Sequence, residues 1–473
     1  MARADPVVEG RTGPPAHLRL QAVGVTVVTG KSALWAPDRR AATVGLLMLV
    51  TLSAFESMGV TTALPTLVHD LHGEELYSWP FTMFLAAQVV GNVVGGRLCD
   101  RRGPTPALTV GPAMFAVGLL VAGVAQGMTQ LLVGRALQGF GGGVEMVGLY
   151  VLVAQVYPER HRPVVFGAFA TAWVVPSLVG PTVAGLLAQY LSWRWIFLGL
   201  APLVLVGWGL VLIVLRRLPA FEPPATEPHR RGLTAAAVAA AIGLAVLSWA
   251  GDHPSGAGLG AALLGAAALV PGVLVLLPRG TLRARIGLPS AVLARGLMSA
   301  AFMGSEAFLP LVLQQVHGFS PAWAGVPLTT AALGWAVGSW LQPRYPELSP
   351  ARFVRWGFLA IAAGVGLVTL VAPAWGPPWV AAPAWILAGF GMGLGTSSVS
   401  VLVLNLSPAA ERGFNSAALQ MSDLFGQSIL IGLGGVLVAA LGPTAGWTPL
   451  NALLVALALL GGLVVSRRSD QRS

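Results

Sequence analysis

The fold class predicted is an all-α membrane protein with fourteen spans, and three observations predict it. The 473-residue chain is 55% apolar and only 10% charged, whereas soluble domains carry about 25% charged residues. Its mean hydropathy is +0.75. Apolar runs of roughly 20 residues, enough to cross a bilayer as helix, recur along the chain, and clustered arginines separate them.

Taken in order, residues 1–40 are polar and rich in Pro, Gly and Arg, and are expected to form a disordered cytoplasmic tail without a cleavable signal. Six spans follow, at roughly 42–66, 77–98, 106–128, 130–156, 163–187 and 194–215. They make a six-helix bundle over 41–217. A polar linker, 218–231, leads to two further spans within 232–278, which contain no ionisable residue well inside them and are assigned no chemistry. A second linker, 279–290, precedes six spans near 291–316, 323–341, 353–373, 382–406, 414–441 and 447–466. These make a second bundle over 291–466, and residues 467–473 form a cytoplasmic tail. The expected architecture is two six-helix bundles plus two extra central helices.

The arginines orient the chain. Arg39/Arg40, Arg97/Arg101/Arg102, Arg160/Arg162, Arg216/Arg217 with Arg230/Arg231, Arg279/Arg283/Arg285, Arg344/Arg352/Arg355, Arg412 and Arg467/Arg468 all fall at the same ends of the spans. Opposite them, only Arg194 stands near a loop. The positive-inside rule places both termini in the cytoplasm, as an even number of spans requires. The net charge of +10 is therefore topological and does not imply nucleic acid. Lys31 is the only lysine and Cys99 the only cysteine, which excludes an internal disulfide and a paired-cysteine metal site. The stretch "HDLHGEE", 69–75, has metal-ligand residue types, but it reads as an exposed outer loop.

Ionisable residues inside a membrane mark functional sites by default. "LSAFESMGV" puts Glu56 near the middle of span one, and "MGSEAFLP" puts Glu306 near the middle of span nine. Each of these spans opens a bundle, so the two acids are expected at similar depth around a central cavity. Glu145 lies in span four. Arg135, read as the only arginine well inside a span, shares a helical stripe with Gln138, Gly142 and Glu145. Its long side chain can reach toward Glu56. Asp423 lies about 13 Å of helical rise into span thirteen, on a face with Gln420 and Gln427, and is expected to meet water or the cavity. Glu145, Glu306, Gln138 and Asp423 are the expected cavity residues.

Four segments resemble the major facilitator superfamily, in its fourteen-helix drug:proton antiporter branch. "GGRLCDRRGPTPAL" is similar to the superfamily's loop motif after the second helix, with Gly96, Leu98, Asp100, Arg101 and Gly103 matching and Pro104 and Thr105 replacing basic residues. "GRALQGFGGG" resembles the fourth-helix motif, with Arg135 as its arginine. "GAFATAWVVPSLVGPTVAG" resembles the antiporters' fifth-helix motif. Gly167, Gly180, Pro181 and Gly185 match it, while Pro176 and Ala184 replace glycine. "FESMGVTTALP" resembles the first-helix motif, with Glu56 as its acid. In the second half, "GSWLQPRYP" has Pro343 where the loop motif has aspartate.

The resemblance implies the major facilitator fold and alternating access. It implies a latch at Gly96, Asp100, Arg101 and Gly103, and proton coupling through Glu56 and Arg135. A buried carboxyl whose cationic partner approaches and withdraws converts helix movement into proton affinity. The expected function is export of a hydrophobic or cationic small molecule, such as a drug or antibiotic, in exchange for protons across the plasma membrane. The protein is expected to act as a monomer among membrane lipids, with no cofactor beyond the proton gradient. The rivals are lipid export on the same fold and proton-coupled nutrient uptake, which suits a cavity richer in amides. A non-transporting receptor fits poorly with the intact first-half latch, and no nucleophile–base constellation supports an enzyme.

Overall fold

The computed structural model describes residues 35–37, 39–158, 162–218, 221, 232–253, 255–345, 347–408 and 411–466. Most of the expected tails, and 222–231 of the first linker, lie outside these residues. Every regular element among the described residues is helical. The helices are α1 (Arg40–Asp70), α2 (Trp79–Arg102), α3 (Pro104–Gly123), α4 (Met128–Val156), α5 (Arg162–Tyr190), α6 (Arg194–Leu198) and α7 (Leu200–Leu215). After these come α8 (Leu233–Asp252), α9 (Gly256–Leu276), α10 (Leu288–Glu306), α11 (Leu309–Gln315), α12 (Pro321–Ala324) and α13 (Val326–Leu341). The last three are α14 (Pro350–Val368), α15 (Ala381–Leu406) and α16 (Arg412–Ser466).

Helices suit this chain because a lipid-embedded backbone must satisfy its own hydrogen bonds. Proline and glycine then set the interruptions. α2, α3, α10 and α14 all carry proline in the first turn, where its missing N–H costs no intrahelical bond. Gly103, at φ 73°, turns the chain between α2 and α3, a conformation open to glycine at little cost. Pro310 stands four residues after Glu306 and cannot bond its carbonyl, so the ninth expected span breaks into α10 and α11 there.

Twelve described segments are long and apolar enough to cross a membrane, against the fourteen expected. The difference has two sources. α13 is only 16 residues long. The thirteenth and fourteenth expected spans lie within the one 55-residue element α16, which is broken at Gly442 by a φ of 81°.

Packing is repeated along the chain. α2 and α3 lie along α4, and α1 lies along α5 and α7. In the same pattern, α13 and α14 lie along α15, and α10 lies along the first part of α16. The two groups meet where α2 faces α16 and where α5 faces α12 and α13. The α8–α9 hairpin sits outside this seam, with α8 against both α2 and α16.

Candidate functional site

The first site is built on α1 and α4. Glu56 is completely buried, and Arg135 donates from Nη1 to its Oε1. The same nitrogen donates to Oε1 of Gln138, one helical turn along α4, and Nε donates to the Pro80 carbonyl at 3.3 Å. The guanidinium lies over the Phe84 ring, 4.4 Å from its centroid. α4 comes close enough for these contacts because Gly139 and Gly143 lie against the α2 backbone at Phe84 and Gln88. The pair expected from sequence is therefore in contact. Glu56 Oε2 is buried without a hydrogen-bond partner among the described residues.

The second half carries a counterpart. Glu306 on α10 accepts a hydrogen bond from Trp385 Nε1 on α15 at 2.9 Å. Glu56 and Arg135 are 79 residues apart, and so are Glu306 and Trp385. In each half the acid of the first helix meets a donor on the fourth. The donor is a cation in one half and a neutral indole in the other. Trp385 also stacks on Phe302, with centroids 5.5 Å apart.

Arg135 and Glu306 line one small cavity of about 60 Å³ between the two groups of helices. Met58, Phe81, Phe84 and Met303 are prominent in its walls, Ser57 and Thr61 add hydroxyls, and Gln427 adds an amide. α10 ends at Glu306 and α11 begins at Leu309, so the carboxyl stands at the break between two helical segments.

Other expected cavity residues lie elsewhere. Glu145 is buried but does not line this cavity. Ten residues at about 100° each bring it roughly 80° around α4 from Arg135. It therefore lies at the α3 contact, where a Cβ on Gly111 would come within 2.9 Å of the Glu145 Cα. Gln138 is occupied by Arg135. Asp423 is not in the cavity wall either. Arg295 Nε lies 2.8 Å from both its carboxylate oxygens, and Ser299 donates to Oδ1 at 2.7 Å. Arg295 corrects the expectation that Arg135 alone lies well inside a span, since it is about 10 Å of rise into α10. Its four-residue spacing to Ser299 was visible in the sequence. Trp385 was also missed, and its 79-residue separation from Glu306 carries no signal until both contacts are seen.

The motif residues fall at joints. Pro176, Gly180, Pro181 and Gly185 lie in α5, as does Gly167. A Cβ on Gly185 would come 2.6 Å from the Cα of Ala322, and one on Gly325 would come 2.9 Å from the Pro181 carbonyl oxygen. Part of the fifth-helix motif thus forms a close contact between the two groups of helices. Asp100 and Arg101 are exposed at the α2–α3 turn. Gly96 has open space where a Cβ would stand. α3 is capped by Gly103 without a side-chain hydrogen bond, so Asp100 is not its N-cap.

Residues 46–430 match the family model of the Major Facilitator Superfamily. Among curated relatives, the chain is 29% identical over 388 residues to an uncharacterised MFS-type transporter of Mycobacterium tuberculosis, with 78% of this chain and 55% of that one covered. The chain thus spans about half the length of that relative. It is also 29% identical over 415 residues to a probable multidrug-efflux transporter of the same organism, covering 82% and 85% of the two chains. A transporter of the acurin A biosynthesis cluster of Aspergillus aculeatus is 30% identical over 333 residues, covering 66% and 60%. Two solved structures of POT family peptide transporters share the fold. One, in complex with sulfate, has a TM-score of 0.68 at 17% identity and covers 91% and 97%. The other, PepTSo, scores 0.67 at 16% identity and covers 92% and 99%.

Proposed function

Because the chain belongs to the Major Facilitator Superfamily, we propose that it exports lipophilic, largely cationic small molecules in exchange for protons by alternating access. The observation that carries this reading is Glu306, a carboxyl in an aromatic and methionine-lined cavity shared by both groups of helices, hydrogen-bonded by a neutral indole. An ionised carboxylate in so dry a place is costly unless a cation or a proton joins it. A cationic substrate and a proton therefore replace one another there. The ring faces and thioethers of the wall accept a lipophilic body.

Glu56 and Arg135 form the coupling pair in this reading. In the closed pair the two charges balance. Drawing Arg135 away uncovers a carboxylate that then takes a proton. Glu145 is a reserve acid of α4, and Asp423 with Arg295 steadies the arginine-rich side. Gly96, Asp100, Arg101 and Gly103 act as the latch. The driving force suffices, at about 1.4 kcal/mol per pH unit and about 2.3 kcal/mol per charge per 100 mV.

The reading includes fourteen crossings of the plasma membrane with both termini cytoplasmic, in two six-helix bundles joined through the α8–α9 pair. α16 would be about 80 Å long as one straight rod, far beyond a bilayer core of about 30 Å, so it crosses twice with its turn at Gly442. α12 and α13 together make the tenth crossing. The relative named for multidrug efflux supports export, and the fifth-helix motif at the joint between the halves supports it too.

The test is transport in proteoliposomes with the pH gradient and the membrane potential imposed separately. Exchange of one proton for one monovalent cation responds to the pH gradient and not to voltage alone. Uptake into the cytoplasmic side driven by the same gradient would overturn the direction, and transport indifferent to the gradient would overturn the coupling.

A further inference from the structure

A second and much larger cavity, about 720 Å³, lies outside the two groups of helices, between the α8–α9 hairpin and α16. It opens at the ends of the spans opposite the arginine clusters. Its walls include Leu244 and Leu247 of α8, Leu259 and Ala262 of α9, and Leu433 and Val436 of α16. Leu259 and Leu433 are exposed at its margin, so the groove faces the hydrocarbon of the bilayer.

The hairpin is fastened to α2 along its length. Trp79 Nε1 donates to Asp252 at 2.7 Å, Thr82 and Ser248 share a 3.4 Å contact, and Arg97 donates to Thr234 at 2.7 Å. Against α16 it presents small residues, with Gly251 beside Val436 and Ser248 beside Gly432. On the far side of this seam is the central cavity, walled by Phe81 and Phe84 of α2 and by Gln427 and Ile431 of α16. Gln427 faces the cavity and its neighbour Ser428 faces the groove. Small residues stand in the seam between them, with Ser78 and Thr82 at the head of α2 against Gly435 and Gly432 of α16.

One polar atom in the groove is unaccounted for. Ser428 is 2% exposed, and its Oγ has no hydrogen-bond partner among the described residues. Buried hydroxyls are almost always paired. A bare acyl tail offers this one nothing, whereas an apolar molecule with a hydrogen-bonding group satisfies it.

We propose that the groove is a lateral exit, in which the transported molecule, an amphiphile with an apolar body and a hydrogen-bonding group, rests after passing through the α2–α16 seam. Its polar group is held by Ser428 and Ser248 while its body lies among Leu247, Leu259 and Leu433. This rests on the export reading above, and it adds that the product is delivered into the membrane rather than into water.

The probe is an ethidium derivative carrying a diazirine, photolabelled onto the purified protein in phosphatidylcholine nanodiscs and mapped by mass spectrometry. Two sets of labels are expected, one in the central cavity and one in the groove on α8, α9 and α16, both suppressed by excess unlabelled ethidium. Ala262→Phe, which fills the groove, should remove the groove labels and leave the central ones. Ser428→Ala, which barely alters shape, should lower groove labelling about fivefold, the worth of one hydrogen bond. Labels in the central cavity alone overturn the lateral exit and leave the export reading standing. Labels in neither place overturn both. A diazirine phosphatidylcholine that labels the groove and is not displaced by ethidium makes the site one for bulk lipid and overturns the exit. So does groove labelling indifferent to both substitutions.

Discussion

At the level of single residues, each half pairs a buried acid with a donor of different charge, and the two acids should fail differently. Glu56→Gln keeps an oxygen for Arg135 and loses the titrating proton. It should abolish gradient-driven transport, and because it leaves the buried Arg135 guanidinium without its counter-charge it should also lower the unfolding temperature. Transport against a gradient at the wild-type rate would remove Glu56 from the coupling site. Arg135→Ala leaves a buried carboxylate without its cation, and should destabilise the protein by about 3–5 kcal/mol, read as a lowered unfolding temperature in detergent. Glu306→Gln should weaken cationic ligands by about 2–5 kcal/mol and neutral analogues of the same shape much less. Equal affinity losses for both classes would sink charge recognition at Glu306. The Glu56–Arg135 contact was legible in the sequence, because the long Arg135 side chain can reach from span four toward Glu56 and an intramembrane charge is costly without a partner. The position of Glu145 was not, because its share of the α4 stripe is decided by which neighbour each face meets. Trp385 escaped because an indole in an apolar helix looks like core.

At the level of elements, close backbone contacts do the positioning. Gly185 meets the backbone of α12, which cannot yield as a side-chain tip can. Gly185→Leu should therefore hold the two groups of helices apart at this joint. Transport should slow at least about tenfold while ligand binding to the central cavity changes less, since no described residue of α5 stands in that cavity's wall. Unchanged turnover would show that the joint is not a working contact. Asp100→Asn at the α2–α3 turn should slow the cycle with little change in affinity, because it is far from Glu306 in depth; a large affinity loss at constant turnover would contradict this. Helix existence was plain from hydropathy. The breaks were less so. Pro310 was visible, but only the structure ends a helix at Glu306, and the merging of the last two expected spans across Gly442 depends on a turn with no loop to announce it.

At the scale of the whole molecule, topology is the outstanding prediction. In a Cys99→Ser background, Thr444→Cys should supply a thiol that reacts with an impermeant maleimide from outside intact cells, and Thr234→Cys one that reacts only after permeabilisation. Reaction of both from the same side would refute fourteen crossings in the stated orientation. The class of fold was readable because composition and span-length runs leave a bilayer protein no alternative to helices. The packing order was not, since lipid-facing and buried faces are both apolar here. Chance separations such as 79 residues gain meaning only once both pairs are seen in contact.

The turn at Gly442 has a consequence for whatever meets the protein from the side opposite its arginines. Within α16 the chain turns at Gly442 with no intervening loop, and the connection between α8 and α9 is only three residues, 253–255. A protease, a toxin or an antibody arriving from that side finds little polypeptide to grip at these two turns, and more at 369–380 between α14 and α15, where Trp375 is 84% exposed and Trp379 64%. Residues 69–75, from the end of α1 toward α2, add exposed His69, Glu74 and Glu75, and a binder raised against intact cells should map to one of these two stretches.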